Sequence, residues 1–214
     1  FDAEAAGYTT SPADRWILTK LERASQLIDT QLKGFDFGSA ASTVYQFIWH
    51  ELCDWYIEFA KIGLQGDGRV ATQHTLRRVL DGALRMLHPF MPHLTEEIWQ
   101  KLPRMAGDAP ALIVSSYAFS NGEEFPEETK QVDAVCDIVS ALRTIRGENQ
   151  ISPSATIGVI VNADANASTD IVEASRAYVE RLGRADLRIA QGLQAPKGSA
   201  VLRAGQYEVI VPLE

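Results

Sequence analysis

The chain has 214 residues, of which 46% are hydrophobic and 22% charged, a balance that is ordinary for a globular protein with a sizeable core. Residues 1–110 hold 11 basic and 14 acidic side chains, and residues 111–214 hold 9 basic and 14 acidic ones. The chain therefore has a net charge of −8, with no basic excess in either half. This excludes the broad basic surface of a general nucleic-acid binder. No apolar run reaches the roughly 20 residues of a membrane helix, and no secretion signal opens the chain.

The first predicted element is a helix that begins at Ser11. Residues 1–10 are expected to be a disordered segment or linker, and the absence of an initial Met suggests a fragment of a longer protein. Ser11 suits an N-cap, Pro12 suits the first helical position, and Asp14 favours the helix dipole. Apolar side chains then recur at steps of three and four and predict one buried face: Ile17, Leu21, Ala24, Ile28 and Leu32.

The second predicted helix, over residues 39–64, carries the strongest apolar pattern in the chain. Its stripe consists of Ala41, Val44, Ile48, Leu52, Trp55, Phe59 and Ile62. Four more side chains widen the stripe, which indicates a helix that is buried on more than one side: Tyr45, Trp49, Tyr56 and Ala60. We therefore expect the stripe from Ile48 to Phe59 to be almost fully buried.

Two further helices complete a predicted bundle. Gly66-Asp67-Gly68 forms a turn before the third helix, Pro89 ends that helix, and Pro92 begins a short fourth one. Short connections place consecutive helices antiparallel, so residues 11–103 are predicted to form an up-and-down α-helical bundle. Residues 104–126 are predicted to be a linker with an extended piece at 111–114.

Residues 127–214 are predicted to be a small α/β domain, because the hydrophobic period changes along this part of the chain. A helix with Val132, Val135, Val139 and Leu142 on one face comes first. Strands at 156–161 and 187–190 with a helix at 168–182 between them follow, and then a hairpin turns at Gly205. The predicted fold class is therefore an α-helical bundle followed by a small α/β domain.

The sequence contains no motif of a catalytic, cofactor or metal site. Three glycines between residues 63 and 68 follow a helix and lack a P-loop lysine, so a bare turn is favoured over a phosphate loop. His88 and His93 have no carboxylate or thiol at ligand spacing. Cys53 and Cys136 lie in apolar helical patterns, which favours reduced, buried thiols of a cytosolic protein.

Three longer motifs distinguish the chain: ADRWIL at 13–18, CDWYIE at 53–58 and LRMLHPFMPHLTEEIW at 84–99. They resemble the valyl-tRNA synthetases, and the 53–58 motif points to valine. The 84–99 motif is shared with isoleucyl- and leucyl-tRNA synthetases. ALRTIRGEN at 141–149, followed by Pro153, is similar to the segment that follows the bundle in the family.

The resemblance implies an anticodon-binding bundle of the class I synthetase type, then the small α/β domain, then a coiled coil beyond the chain. It implies a cytoplasmic parent enzyme that uses ATP to attach valine to tRNA-Val, with tRNA-Val and the catalytic domain of the same polypeptide as partners. The HIGH and KMSKS motifs that hold ATP in this class are absent. The chain alone is therefore expected to be non-catalytic, with no cofactor and no membrane contact.

The resemblance also implies a first bundle helix before the 13–18 motif, and the chain lacks it. We therefore expect an exposed apolar groove beside Tyr45 and Trp49 through which the chain self-associates. Since that helix supplies anticodon contacts in the family, we expect the chain to bind tRNA-Val with a Kd weaker than about 10 μM.

Five residues are candidate tRNA contacts: Arg15, Lys20, Trp49, Arg143 and Arg146. The two on the first helix have a solvated helix face as their alternative. Trp49 has the chemistry to stack on an unpaired base, although its place beside the apolar stripe favours a core role. Arg143 and Arg146 are expected to share one exposed face and to contact the tRNA backbone near the anticodon stem, or else to form salt bridges.

Two other identities stay open at this point. An isoleucyl-tRNA synthetase bundle has the 84–99 motif but is disfavoured by the 53–58 motif. A helical protein-interaction scaffold without an RNA role suits the acidic composition. The motif resemblance outweighs composition, so the tRNA-binding interpretation is preferred.

Overall fold

The computed structural model describes residues 9–104, 107–117, 120 and 122–213, and the predicted disorder of residues 1–8 lies outside this part. The chain divides into two compact units, Phe1–Thr129 and Lys130–Glu214. The described part of the first unit is helical, and the second combines helices with a sheet. The predicted fold class is confirmed.

The first unit is built from helices joined by short turns. They are α1 (Pro12–Lys33), α2 (Phe37–Gln46), a π-helical segment (Phe47–Tyr56), α3 (Ile57–Gly63), α4 (Arg69–Leu87) and α5 (Pro92–Trp99). A 3-10 turn (Leu112–Val114) stands where an extended piece was predicted. Leu112 is buried there against Leu84 and Trp99, so this turn adds to the core of the first unit.

Helix α1 begins as the sequence predicts. The Ser11 side chain accepts a hydrogen bond from the Asp14 amide (3.1 Å), and the Asp14 carboxylate accepts one from the Ser11 amide (3.0 Å). This reciprocal capping box satisfies two donors that the first helical turn leaves unpaired. Ile17 and Ile28 are fully buried on the predicted face.

The π-helical segment moves the buried face of the second predicted helix. Val44, Leu52 and Phe59 of the predicted stripe are buried, but Ile48 and Trp55 are only partly buried. Ala40 and Phe47, which lie outside the predicted stripe, are buried, as are Tyr56 and Ala60 from its widened part. The expected near-complete burial is confirmed for Leu52 and Phe59 and is wrong for Ile48 and Trp55. The reason is that a π-helix bonds residues five apart and so turns more slowly than the assumed 3.6-residue period.

The second unit contains one four-stranded mixed sheet with helices. Its elements are α6 (Pro126–Glu148), which begins just before the unit, β1 (Ile157–Ala163), α7 (Thr169–Ala174), α8 (Arg176–Gly183), β2 (Ala185–Gln191), β3 (Ser199–Ala204) and β4 (Tyr207–Pro212). The strand order is β2-β1-β4-β3, with β1 and β2 parallel and the other two pairs antiparallel. A parallel pair needs a crossover, which α7 and α8 supply, whereas β3 and β4 form the predicted hairpin.

Helix α6 buries the face that the sequence predicts. Val132, Val135, Val139 and Leu142 are each at most 1% exposed. The same face continues to Ile145, and Gly183 at the end of α8 lies against it, since a Cβ added there would come within 2.6 Å of the Leu142 side chain. Among the described residues, every helix is too short or too polar to cross a membrane.

Candidate nucleic-acid interface

Residues of two sequence motifs meet at one buried carboxylate, that of Asp14. The Tyr56 hydroxyl donates a hydrogen bond to Asp14 Oδ1 (2.5 Å), and the Thr72 hydroxyl donates one to Asp14 Oδ2 (3.3 Å). Asp14 is 1% exposed and Tyr56 is fully buried. Since the carboxylate also caps α1, it ties α1, the π-helical segment and α4 together, which gives these motif residues a structural role.

The aromatic pair Tyr45 and Trp49 lies at the surface. The two side chains are 54% and 53% exposed, and their rings are parallel within 6° with centroids 6.1 Å apart. The His50 ring meets Tyr45 edge-on at 6.0 Å. The core role that the sequence favoured for Trp49 is therefore wrong, and this side chain offers an aromatic surface to a flat ligand.

An apolar cleft of about 320 Å³ opens beside this pair. Its lining comes from α2 with the π-helical segment and from the end of α4 with the turn after it: Ala41, Val44, Tyr45, Ile48, Trp49, Leu87, Phe90 and Met91. The groove expected beside Tyr45 and Trp49 is thus present. It lies on the part of the second predicted helix that the shifted register leaves outside the core.

Three arginines on α1 and α4 are each bonded to a glutamate from residues 123–128. The pairs are Arg15–Glu128 (2.7 Å), Arg23–Glu124 (2.7 Å) and Arg78–Glu123 (2.8 Å). Arg15 also donates to the Thr10 hydroxyl (3.1 Å) and lies 5.3 Å from the centre of the Phe125 ring. Arg15, a predicted phosphate contact, is therefore already bonded to other residues of the first unit.

Lys20 lies between α1 and the π-helical segment. Its ammonium is 3.9 Å from Glu51 Oε1 and 5.5 Å from the centre of the Trp16 ring. Together with Arg23 it lines a second, smaller cleft of about 230 Å³. The Lys20 side chain is 20% exposed, so its ammonium stays partly accessible to solvent beside this cleft.

The structure separates Arg143 from Arg146. Arg143 is exposed, whereas Arg146 is 7% exposed and its guanidinium donates to four backbone carbonyls: those of Ser152, Ala155, Gly183 and Arg184. Burial, and then the neighbouring Arg184, lower the pKa of Arg146. The predicted shared exposed face is wrong because Arg146 lies four residues beyond buried Leu142 and so on the same side of α6.

The role of the segment 122–128 was not predicted from the sequence. The Phe125 amide donates to the Thr19 hydroxyl (2.9 Å), and the Gly122 amide donates to the buried carboxylate of Glu22 (2.9 Å). With its three ion pairs, the segment is fastened to α1 and α4. The signal was two acidic pairs, 123–124 and 127–128, of opposite sign to the basic residues of those helices.

The remaining polar motifs have structural partners. His88 Nδ1 bonds the Thr95 hydroxyl (2.7 Å), and Glu96 accepts a hydrogen bond from the Leu112 amide (2.8 Å). Cys53 and Cys136 are not joined in a disulfide, but Cys53 is exposed and Cys136 is only partly buried, so the expected burial is wrong for Cys53. Within the described ranges, no three His, Cys, Asp or Glu side chains are grouped so that they could hold a metal ion.

Comparison with known proteins supplies the family. A profile described as "Anticodon-binding domain of tRNA ligase" matches residues 14–161. The valine–tRNA ligase of Geobacter sulfurreducens is 41% identical over 209 residues, covering 95% of this chain and 23% of that protein. Those of Syntrophotalea carbinolica (36%, covering 94% and 23%) and Symbiobacterium thermophilum (38%, covering 99% and 26%) are similar in the same way. The chain spans about a quarter of the length of these curated relatives.

Proposed function

The chain belongs to the family of anticodon-binding domains of tRNA ligases, and on that premise we propose that it is the tRNA-binding part of a valine–tRNA ligase. The observation that carries this proposal is its 36–41% identity, over nearly the whole chain, to three valine–tRNA ligases. The catalytic domain of the same cytoplasmic polypeptide then uses ATP to attach valine to tRNA-Val. The chain itself binds tRNA and catalyses nothing.

The proposed tRNA contacts are Arg143, Trp49, Lys20 and Arg15. Exposed Arg143 suits a phosphate contact, and half-exposed Trp49 suits stacking on an unpaired base. Lys20 and Arg15 are already engaged by glutamates, so an RNA phosphate reaches them by replacing a carboxylate. Arg146 is left out of this set, because its four carbonyl partners make it a positioning residue for the loop at 152–155.

Replacing Arg143 by glutamine in the full-length protein tests the proposed phosphate contact. We expect the Michaelis constant for tRNA-Val to rise and its dependence on salt to become shallower by about one unit of log–log slope, the value for one lost phosphate contact. Lys33→Gln is the matched control. Lys33 is an exposed cation at the end of α1, where it is paired with Asp29 of that helix. An Arg143→Gln protein with the salt dependence of the Lys33→Gln protein contradicts the contact.

We also propose that the isolated chain self-associates through the cleft beside Trp49. Burial of an apolar surface on both copies favours a dimer, and the Trp49 ring is the largest exposed side chain that lines the cleft. Trp49→Ala is expected to weaken the dimer at least about tenfold in sedimentation equilibrium. Phe35→Ala, which changes a more exposed ring outside the cleft, is expected to have no effect. A chain that is monomeric at all concentrations, or a dimer unchanged by Trp49→Ala, contradicts this surface.

A further inference from the structure

We infer that α1 and α4 carry a phosphate-binding face that the chain's own glutamates occupy. We call residues 122–128 the glutamate strap and the side chains of Arg15, Arg23 and Arg78 the arginine face. The ligand class is the phosphodiester backbone of RNA, which replaces the strap's carboxylates at the arginine face. The choice of RNA rests on the proposed function, whereas the occupied face rests on the contacts of the first unit.

The arginine face is a single surface. Arg15 and Arg23 are eight residues apart on α1, so they lie on one side of the helix about 12 Å apart along its axis. Arg78 comes from α4, which packs directly on α1. All three bond to glutamates within six consecutive residues of the strap, which places their guanidinium groups side by side along one short stretch of chain.

The strap presents a row of negative charge much as a nucleic-acid backbone does. Glu123, Glu124 and Glu128 each place a carboxylate oxygen 2.7–2.8 Å from an arginine nitrogen. A phosphodiester offers a guanidinium the same charge-assisted hydrogen bonds, through two non-bridging oxygens in place of the two carboxylate oxygens. The strap therefore keeps the three guanidinium groups in positions from which they can bond the phosphates of an anionic chain.

The strap's ion pairs can exchange because they are partly exposed. Their side chains are between 23% and 48% exposed, and pairs this accessible to water contribute little to stability. Arg77 on α4 provides the contrast. Its side chain is 9% exposed and is held by Asp81, Asp108 and the Pro103 carbonyl, so it is built into the core and is not part of the arginine face.

Occupation of the arginine face also accounts for the expected weak RNA binding of the chain. A phosphate that binds one of these arginines must first displace the glutamate carboxylate. The displaced carboxylate then attracts cations from solution, and this offsets the counterions that the phosphate releases. Removing the strap's charges therefore adds phosphate contacts that the unmodified chain lacks. The gain appears in the salt dependence as well as in the affinity.

The test compares two triple variants of the 214-residue chain that change the net charge equally, from −8 to −5. The strap variant is E123Q/E124Q/E128Q. The control is D29N/E58Q/E97Q, in which each carboxylate is paired with a lysine three or four positions further along the chain and is 39–69% exposed. Each protein is titrated with tRNA-Val and with a non-cognate tRNA over a range of salt, after circular dichroism has shown that it is folded.

The strap variant is expected to bind both tRNAs at least about tenfold more tightly than the unmodified chain at 50 mM salt, with a log–log salt slope steeper by about two to three. The control also frees three cations, but these lysines come from three different parts of the first unit and are not gathered along one segment. We therefore expect it to change the affinity less than about threefold and the slope by less than about one. Adding R23Q/R78Q to the strap variant is expected to cancel most of the gain. If the triple variant does not fold, E124Q alone, at the most exposed pair, is expected to steepen the slope by about one.

Equal slopes for the strap variant and the control overturn the inference and leave the strap as a structural fastening. A gain that survives R23Q/R78Q also overturns it, because the new contacts then lie elsewhere. The proposed function is tested by a different measurement, so its failure can be told apart from the failure of this inference. Phosphate contacts do not read sequence, so the slopes test the arginine face, whereas charging of tRNA by the full-length protein tests the identity of the ligase.

Discussion

Replacing Arg146 by glutamine is expected to lower the free energy of unfolding of the second unit by about 3–5 kcal/mol. Arg146 donates to carbonyls of the loop after α6 and of the end of α8, so one guanidinium joins two segments to the helix. Glutamine reaches at most part of this set and leaves buried carbonyl groups without a donor. Denaturant unfolding followed by a probe in the second unit measures the loss.

Arg143→Gln is the control for this change, since it removes the same charge from an exposed position on the same helix. It is expected to change the free energy of unfolding by less than about 0.5 kcal/mol. A loss of the same size in both variants would mean that charge and not the carbonyl contacts sets the stability. A stable Arg146→Gln protein would remove the positioning role altogether.

Phe59→Ala is expected to lower the free energy of unfolding of the first unit by about 3–5 kcal/mol, whereas Trp55→Ala costs about 1–2 kcal/mol. Phe59 is 1% exposed and its ring meets both Trp16, edge-on at 6.0 Å, and Trp55, stacked at 6.0 Å. Trp55 is only partly buried, so its truncation leaves a smaller cavity. The two losses are compared by urea unfolding under one set of conditions. Equal costs would favour a regular α-helix with Trp55 at its core, against the π-helical register.

The local signals in the sequence predicted the elements well. Ser11, Pro12 and Asp14 set the start of α1, and the prolines at 89 and 92 separate α4 from α5. Each acts through its own backbone or through a neighbour within four residues, so no knowledge of the tertiary fold was needed. The alternation of strands and helices beyond residue 155 predicted the small α/β domain for the same reason, but not the order or direction of its strands.

The register of the long second helix could not be predicted from periodicity. A search for apolar residues at steps of three and four assumes 3.6 residues per turn, and the π-helical segment breaks this assumption between Phe47 and Leu52. Both residues are buried although they are five apart. The shift turned Trp49 from a residue beside a predicted core stripe into an exposed one.

The candidate interface depended on contacts between residues far apart in sequence. Arg15 and Glu128 are separated by 113 positions, and no spacing rule relates them. The basic residues of α1 and the acidic residues of the glutamate strap were each visible in the sequence, but their pairing was set by the folded chain. Arg146 was misplaced for a different reason, since its position four residues after Leu142 already indicated the buried face.

Charging by the full-length protein that contains this chain is the most direct measurement of the proposed function. The protein is incubated with ATP and either valine or isoleucine, together with purified tRNA-Val or tRNA-Ile. We expect valine to be attached to tRNA-Val at a kcat/KM far above that of the other three combinations. Preferential attachment of isoleucine to tRNA-Ile, or no charging of either tRNA by a folded protein, would contradict it.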